Sequence, residues 1–367
     1  MRKSLVTLAA ISITTATTAS AQATYAWDNS NVTVESVVVV GDSLVGAGIG
    51  INNPLYLPPS TDNNYSGVVN IWFRNAAGAV TSACTGSLLN NRNILTAGHC
   101  VATNSNTIRH ASFTARFRNA DGTFTEVNGT GFRVQQDYSG AVVEEQDVAL
   151  LTLAADAPAS ARRYTLFQGN PLVEFTMAGF GRTGTGVTGS INNTANNQFG
   201  AVNVLRAGRN VFETTRNDAG SFATSANPNP AAFAGILVAD FDRIGESFPN
   251  NFICGPRAPG GTSLGFCGSG VDRESSIGPG DSGSAAFTDT WEVLGVGSWG
   301  TTTNSVGGLY GSYFGYACVA NYAPNARCVE NYNFVMNNVV PEPSTYALMA
   351  TGLVGLFGLA RRRRTSR

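Results

Sequence analysis

Residues 93–100 read Asn-Ile-Leu-Thr-Ala-Gly-His-Cys, and residues 146–153 read Gln-Asp-Val-Ala-Leu-Leu-Thr-Leu. Each is an apolar run of strand length. The first ends in small residues that let the backbone turn and leave His99 accessible at the strand end; the second begins on an acid, Asp147. Similar runs recur at 32–40, 68–73, 173–177, 235–240 and 291–296, β-branched or aromatic and bounded by Gly, Asn, Asp or Pro. Phe113, Ala115 and Phe117 alternate with polar residues, and Asp121-Gly122 offers a hairpin turn before Phe124. No helical period of useful length appears outside the termini, apart from a short stretch near 329–338. There is no repeat of 20–50 residues, and 183–200 and 214–232 read as long surface loops. Many short strands joined by long loops predict an all-β sandwich or barrel.

The chain has 367 residues with 42 Gly, 13% charged residues and a formal net charge of −1. That length carries a sizeable core. Near-neutrality, with Lys3 the only lysine, gives no clustered cations for a nucleic-acid partner.

Both ends read as targeting segments. Arg2 and Lys3, an apolar stretch and small residues at Ala19-Ser20-Ala21 or Ala21-Gln22-Ala23 predict a signal peptide over 1–23, a substrate of signal peptidase. At the other end Pro341-Glu342-Pro343-Ser344-Thr345 precedes an apolar run of about 14 residues, shorter than a comfortable membrane span, and then Arg361, Arg362, Arg363 and Arg364. This tail, 339–367, resembles the PEP-CTERM sorting signal of Gram-negative bacteria. The resemblance implies a short hydrophobic sorting helix, transient inner-membrane anchoring, an exosortase-type partner and delivery to the cell surface or matrix. A plain tail anchor is the alternative.

Two histidines, His99 and His110, can supply an imidazole, and His110 sits in a polar loop context that suggests a surface or structural role. Downstream, Gly278-Pro279-Gly280-Asp281-Ser282-Gly283-Ser284 is a tight turn that would present the Ser282 hydroxyl amid bare backbone N–H groups. Asp147 is the candidate acid to orient the imidazole, while Glu144 and Glu145 are expected to face solvent. Together, Thr-Ala-Gly-His-Cys around His99, Asp-Val-Ala-Leu-Leu beginning on Asp147 and Gly-Asp-Ser-Gly around Ser282 resemble the chymotrypsin/trypsin family of serine endopeptidases, in that family's chain order. Ala178-Gly179-Phe180-Gly181 resembles its Gly-Trp-Gly segment, with Phe180 in place of Trp. Ser298-Trp299-Gly300 resembles its substrate-pairing strand.

The resemblance implies a double β-barrel over residues 65–338 with no cofactor and a protein or peptide as substrate. It makes His99 the general base, Asp147 its orienting acid, Ser282 the nucleophile, and the N–H groups of Gly280 and Ser282 the oxyanion hole. It gives Asp281 a structural role, pairing with an α-amino group freed by propeptide cleavage. Here no Arg or Lys followed by Ile-Val-Gly-Gly lies upstream, so residues 24–64 are a propeptide, an ordered extension or both. The family bridge beside the base implies Cys84 with Cys100. Cys254 with Cys267 and Cys318 with Cys328 are the simplest remaining short loops among 15 formal pairings. A zinc site lacks a Cys-x-x-Cys pair and spare histidines. Ser276, six before the nucleophile, is neutral and with an open Gly300 suggests an apolar or aromatic preference, although Asp272 and Glu274 are close by in sequence.

The expectation is therefore an exported serine endopeptidase with a sorting tail. A catalytically silent surface protein on the same fold, and the same triad acting mainly on esters, are the alternatives. Without both ends the charge changes: subtracting Arg2, Lys3, five tail arginines and Glu342 from the totals of 23 and 24 leaves about −7.

Overall fold

A computed structural model describes residues 56–141, 143–182, 184–186, 189–190, 204–216, 234–241, 271, 273–301 and 312–339, with backbone alone for strands before residue 42 and for 302–303 and 306–307. The signal segment, the apolar tail and its arginines, Asp272, Cys254 and Cys267 lie outside the described residues. No described helix is long and apolar enough to cross a membrane.

Among the described residues the regular structure is mostly β, with few helices. Three strands precede residue 56: β1 (Ala23–Trp27), β2 (Ser30–Glu35) and β3 (Val40–Gly41). Six more close a barrel: β4 (Val68–Arg74), β5 (Val80–Leu88), β6 (Asn93–Thr96), β7 (Ser112–Arg118), β8 (Phe124–Val134) and β9 (Ala149–Leu153), in the spatial order β8-β9-β6-β5-β4-β7. The expected hairpin joins β7 to β8: Gly122 has φ +83°, which its missing Cβ makes free of strain, and Asp121 Oδ1 accepts the Thr123 N–H at 2.9 Å. Val69, Ile71, Phe73, Phe113, Ala115, Phe117, Leu95 and Leu151 fill the interior. Burial of such apolar surface contributes roughly 25 cal/mol per Å².

The second half forms a sheet from β10 (Glu174–Gly179), β11 (Arg206–Val211), β12 (Thr214–Arg216), β13 (Ile236–Asp240), β14 (Ser275–Ser276), β15 (Ala285–Phe287), β16 (Glu292–Thr303) and β17 (Tyr313–Cys318). Its order is β11-β10-β15-β16-β17-β13-β12, with β14 paired instead to β3. The two outer strands, β11 and β12, are consecutive in the chain, so the sheet rolls up to bring its ends together. Asn210 of β11 reaches β13 and β14 with its side chain, Nδ2 donating to Asp240 O at 2.7 Å and Ser275 O at 2.9 Å. Phe175, stacked on Phe212 at 3.9 Å, packs with Tyr316 inside. This barrel-like second sheet completes the all-β architecture expected from the sequence.

Helix α1 (Gly98–Val101) is a single turn carrying His99. Helix α2 (Ala326–Asn338) begins three residues before the expected stretch, because Asn325 caps it: its Oδ1 accepts the Cys328 N–H at 3.2 Å. Disulfides Cys84–Cys100 and Cys318–Cys328 are present, the second tying β17 to α2.

The expectation that Glu144 and Glu145 face solvent is wrong; both are buried. Glu144 folds back over its own loop and accepts the N–H groups of Ser139, Gly140 and Ala141. Burial nonetheless pushes its pKa up, against those hydrogen bonds. Glu145 reaches the second half instead. Its Oε1 accepts the Gly235 N–H at 2.7 Å, its Oε2 lies 3.3 Å from Arg327 Nε on α2, and its carbonyl accepts Asn331 Nδ2 at 2.7 Å. A run of charges in sequence says nothing of the partners that fold over it.

Ahead of the barrels, β2 runs antiparallel to β16 with Glu35 opposite Gly300 and Val34 opposite Thr301. β3 runs antiparallel to β14 with Val40 opposite Ser276.

Candidate active site

Strand pairing assembles the site. β6 and β9 are antiparallel with Thr96 opposite Ala149, so the end of one and the start of the other share one rim of the barrel. His99, three residues beyond β6, and Asp147, two before β9, therefore meet there. Asp147 Oδ2 accepts from His99 Nδ1 at 2.6 Å, and Oδ1 accepts the His99 backbone N–H at 2.7 Å. Asp147 is 1% exposed, whereas the His99 side chain is 24% exposed. A buried carboxylate needs such donors to remain ionised. Nδ1 must carry the proton it donates, which leaves Nε2 of a neutral ring as the acceptor.

A third donor to Asp147 comes from the second sheet. Ser298 Oγ donates to Asp147 Oδ2 at 2.5 Å. The β16–β17 register is irregular between Gly297 and Trp299, and such irregularities re-aim side chains. The resemblance gave the Ser298 main chain to substrate; its hydroxyl, which the sequence reading did not assign, is engaged with the acid. Trp299 is buried, edge-on to Tyr313 at 5.6 Å with the Arg216 guanidinium 5.4 Å over its ring.

The Gly280–Ser284 turn docks against the same rim. The Ser282 carbonyl accepts the Thr85 N–H at 2.9 Å and lies 3.6 Å from Cys100 Sγ, itself 4.0 Å from His99 Nε2. Gly283 has φ +84°, and a Cβ there would collide with Thr85 O and Thr96 Oγ1. Only glycine lets the Ser282 turn come this close to the strand that presents the histidine. Thr85, buried in β5, is the brace: its Oγ1 donates to Gly280 O at 2.9 Å and accepts the Phe180 N–H at 3.1 Å, while its carbonyl accepts Thr96 Oγ1 at 2.8 Å. No sequence signal marked Thr85 beyond its place after Cys84.

The turn also fixes the direction of its N–H groups. Pro279 O accepts the Arg182 N–H at 2.9 Å, and Asp281 O accepts the Ser284 N–H at 2.7 Å. A planar trans peptide points its N–H opposite to its C=O. The N–H groups of Gly280 and Ser282 therefore face away from these partners, and neither donates to a described residue. Two such donors beside a serine could receive an anion that develops on a carbonyl oxygen.

Asp281 points the other way and is fully buried. Its Oδ1 accepts the Gly181 N–H at 2.8 Å, and Cβ atoms at Gly179 or Gly181 would collide with its carboxylate. Ser276 is buried and lies opposite Val40 of the preceding segment. His110 stacks on Phe73 at 4.6 Å and its Nε2 donates to Cys100 O at 3.0 Å, behind the histidine turn.

Residues 60–214 match the family model described as Trypsin, and residues 339–364 match the PEP-CTERM protein-sorting motif. His99 and Asp147 fall inside the first match and Ser282 beyond it. No curated protein matches the chain. Among solved structures, one titled "Structure of Glu endopeptidase in complex with MPD" is 17% identical, with a TM-score of 0.44 over 77% of this chain and 97% of that one.

Proposed function

We propose that the protein is an exported serine endopeptidase in which Ser282, His99 and Asp147 hydrolyse peptide bonds through an acyl-enzyme. The observation that carries this reading is the clamp on the base: Asp147 takes both the ring and the backbone N–H of His99, fixing the imidazole on the turn next to Ser282. A serine that is only structural needs no oriented base beside it.

In this reading Ser282 Oγ attacks the scissile carbonyl carbon as His99 Nε2 takes its proton. The carbonyl oxygen becomes an oxyanion held by the N–H groups of Gly280 and Ser282. Collapse expels the amine, which receives the proton from His99. A water then repeats the sequence and releases the acid. Asp147 stays ionised throughout and stabilises the imidazolium.

The segment before the barrels acts as a pro-segment. Its β2 takes the edge of β16 at Gly300, and its β3 lies along Ser276, two positions that the trypsin-type resemblance assigns to substrate. A strand already added to that edge excludes a peptide that would bind by the same main-chain pairing. The signal peptide and sorting tail export the chain through a Gram-negative envelope, where an exosortase-type enzyme acts on the tail.

The test is labelling of the exported protein with a fluorescent fluorophosphonate, comparing wild type with Ser282→Ala. Labelling confined to wild type supports the reading. Equal labelling of both, or none of either, overturns it.

A further inference from the structure

Arg206 opens β11, directly opposite Gly179 of β10. Residues directly opposite in an antiparallel pair send their side chains to the same face, about 5 Å apart. Gly179 has no side chain, and a Cβ there would collide with Asp281 Oδ1. A Cβ at Gly181, just past the strand end, would likewise meet the Asp281 carboxyl carbon at 2.6 Å. The face from which Arg206 projects is thus the face on which the Asp281 carboxylate rests.

Arg206 is only 5% exposed, and its buried Nε and Nη1 donate to no described residue. A guanidinium removed from water without a full set of hydrogen bonds needs an anion nearby to keep its charge. Burial lowers the Arg206 pKa, and the charge that opposes the shift is Asp281.

We propose that Arg206 is a positioning residue for the oxyanion turn, a cation built into the second sheet that holds the Asp281 carboxylate ionised and buried. The trypsin-type resemblance gives that task to an α-amino group created by cleavage; here the body of the fold carries its own positive charge. The consequence runs through the backbone of one short turn. Asp281 N donates to Gly278 O at 2.7 Å and Asp281 O accepts from Ser284 N at 2.7 Å, so the seat of its carboxylate sets the direction of the Gly280 and Ser282 N–H groups. Cleavage of the segment before the barrels then governs access to the site and not the competence of the turn. This inference rests on Ser282 being the nucleophile.

The experiment uses the full exported protein in five forms: wild type, Arg206→Met, Arg206→Lys, Asp281→Asn and the Arg206→Met/Asp281→Asn pair. Saturation kinetics of fluorophosphonate labelling are measured for each, with thermal melting alongside. Loss of an oxyanion donor costs about 100-fold or more in rate. Arg206→Met should therefore lower the maximal labelling rate about 100-fold while half-saturation changes little, and Arg206→Lys should recover most of the rate. The double variant should be no slower than the slower single one, because each change alone leaves a lone buried charge or an unfilled seat. Labelling of Arg206→Met within about twofold of wild type would overturn the inference, as would rate losses that simply add. If Arg206→Met fails to fold, recovery of cooperative melting in the double variant supports the pairing and its absence overturns it. Failure of wild type to label removes the nucleophile reading, and with it the positioning role assigned to Arg206.

Discussion

Ser298 Oγ donates at 2.5 Å to the same Asp147 oxygen that receives His99 Nδ1 at 2.6 Å, so one carboxylate oxygen joins the two halves of the fold. Asp147→Asn replaces an acceptor by a group that carries donors, and the amide cannot receive all three N–H and O–H groups. The imidazole is driven toward the wrong tautomer, and turnover should fall by about 10⁴. Ser298→Ala removes one charge-assisted hydrogen bond and should cost about tenfold in labelling rate. Labelling kinetics of the two variants check both, and an unchanged Ser298→Ala would separate Ser298 from the site.

Gly283 is held by both conformation and space, with φ +84° and no room for a Cβ against Thr85 O and Thr96 Oγ1. Gly283→Ala should push the Ser282 turn off the rim, abolishing labelling while the first barrel remains folded. Circular dichroism beside the labelling assay distinguishes this from global unfolding.

The positions of His99 and Asp147 were legible because each lies within three residues of a strand whose apolar pattern is plain in the sequence. Pairing of those two strands then makes their meeting a matter of geometry. Thr85 and Arg206 were not legible. Each sits in a strand of ordinary composition, and its importance comes from what the other half of the chain lays against it. Glu144 and Glu145 failed for the same reason, since their burial depends on a loop folding back and on α2 arriving from the far end of the chain.

Glu145→Gln tests that long-range tie. The amide keeps an acceptor for the Gly235 N–H but loses the charge beside Arg327. Arg327 is about a third exposed and keeps Glu330 at 2.7 Å, so no buried charge is stranded and a loss of about 1 kcal/mol is expected. For a domain of this size that is a drop of roughly 2–4 °C in Tm. Labelling at 25 °C should survive, and a Tm within a degree of wild type would refute the tie.

His110 should set an acid limit on stability. Burial lowers its pKa from the ordinary 6.5, with the nearby Arg109 acting in the same direction and the hydrogen bond to Cys100 O opposing. A histidine with a lowered folded pKa is protonated first in the unfolded chain, so its contribution is intact above pH 6.5 and is lost as pH falls toward the folded pKa. His110→Gln keeps a donor for Cys100 O and does not titrate. The Tm of wild type should therefore fall relative to this variant between pH 7 and pH 5. Parallel curves would exclude His110 as the source.

The strands before the barrels give the last prediction. With Glu35 opposite Gly300 and Val40 opposite Ser276, they pair with two positions that the trypsin-type resemblance assigns to substrate. A small phosphonate needs only the nucleophile and the oxyanion donors, whereas a peptide needs the β16 edge as well. Cleavage in the segment 42–55, followed by release of the upstream strands, should therefore leave phosphonate labelling within a fewfold of the uncut protein and raise peptide turnover by orders of magnitude. A protease site engineered into that segment, with rates measured before and after cutting, makes the comparison within one preparation. A rise in both rates together would assign the segment to assembly of the turn instead of access. Equal peptide turnover before and after would show that β2 and β3 exclude nothing.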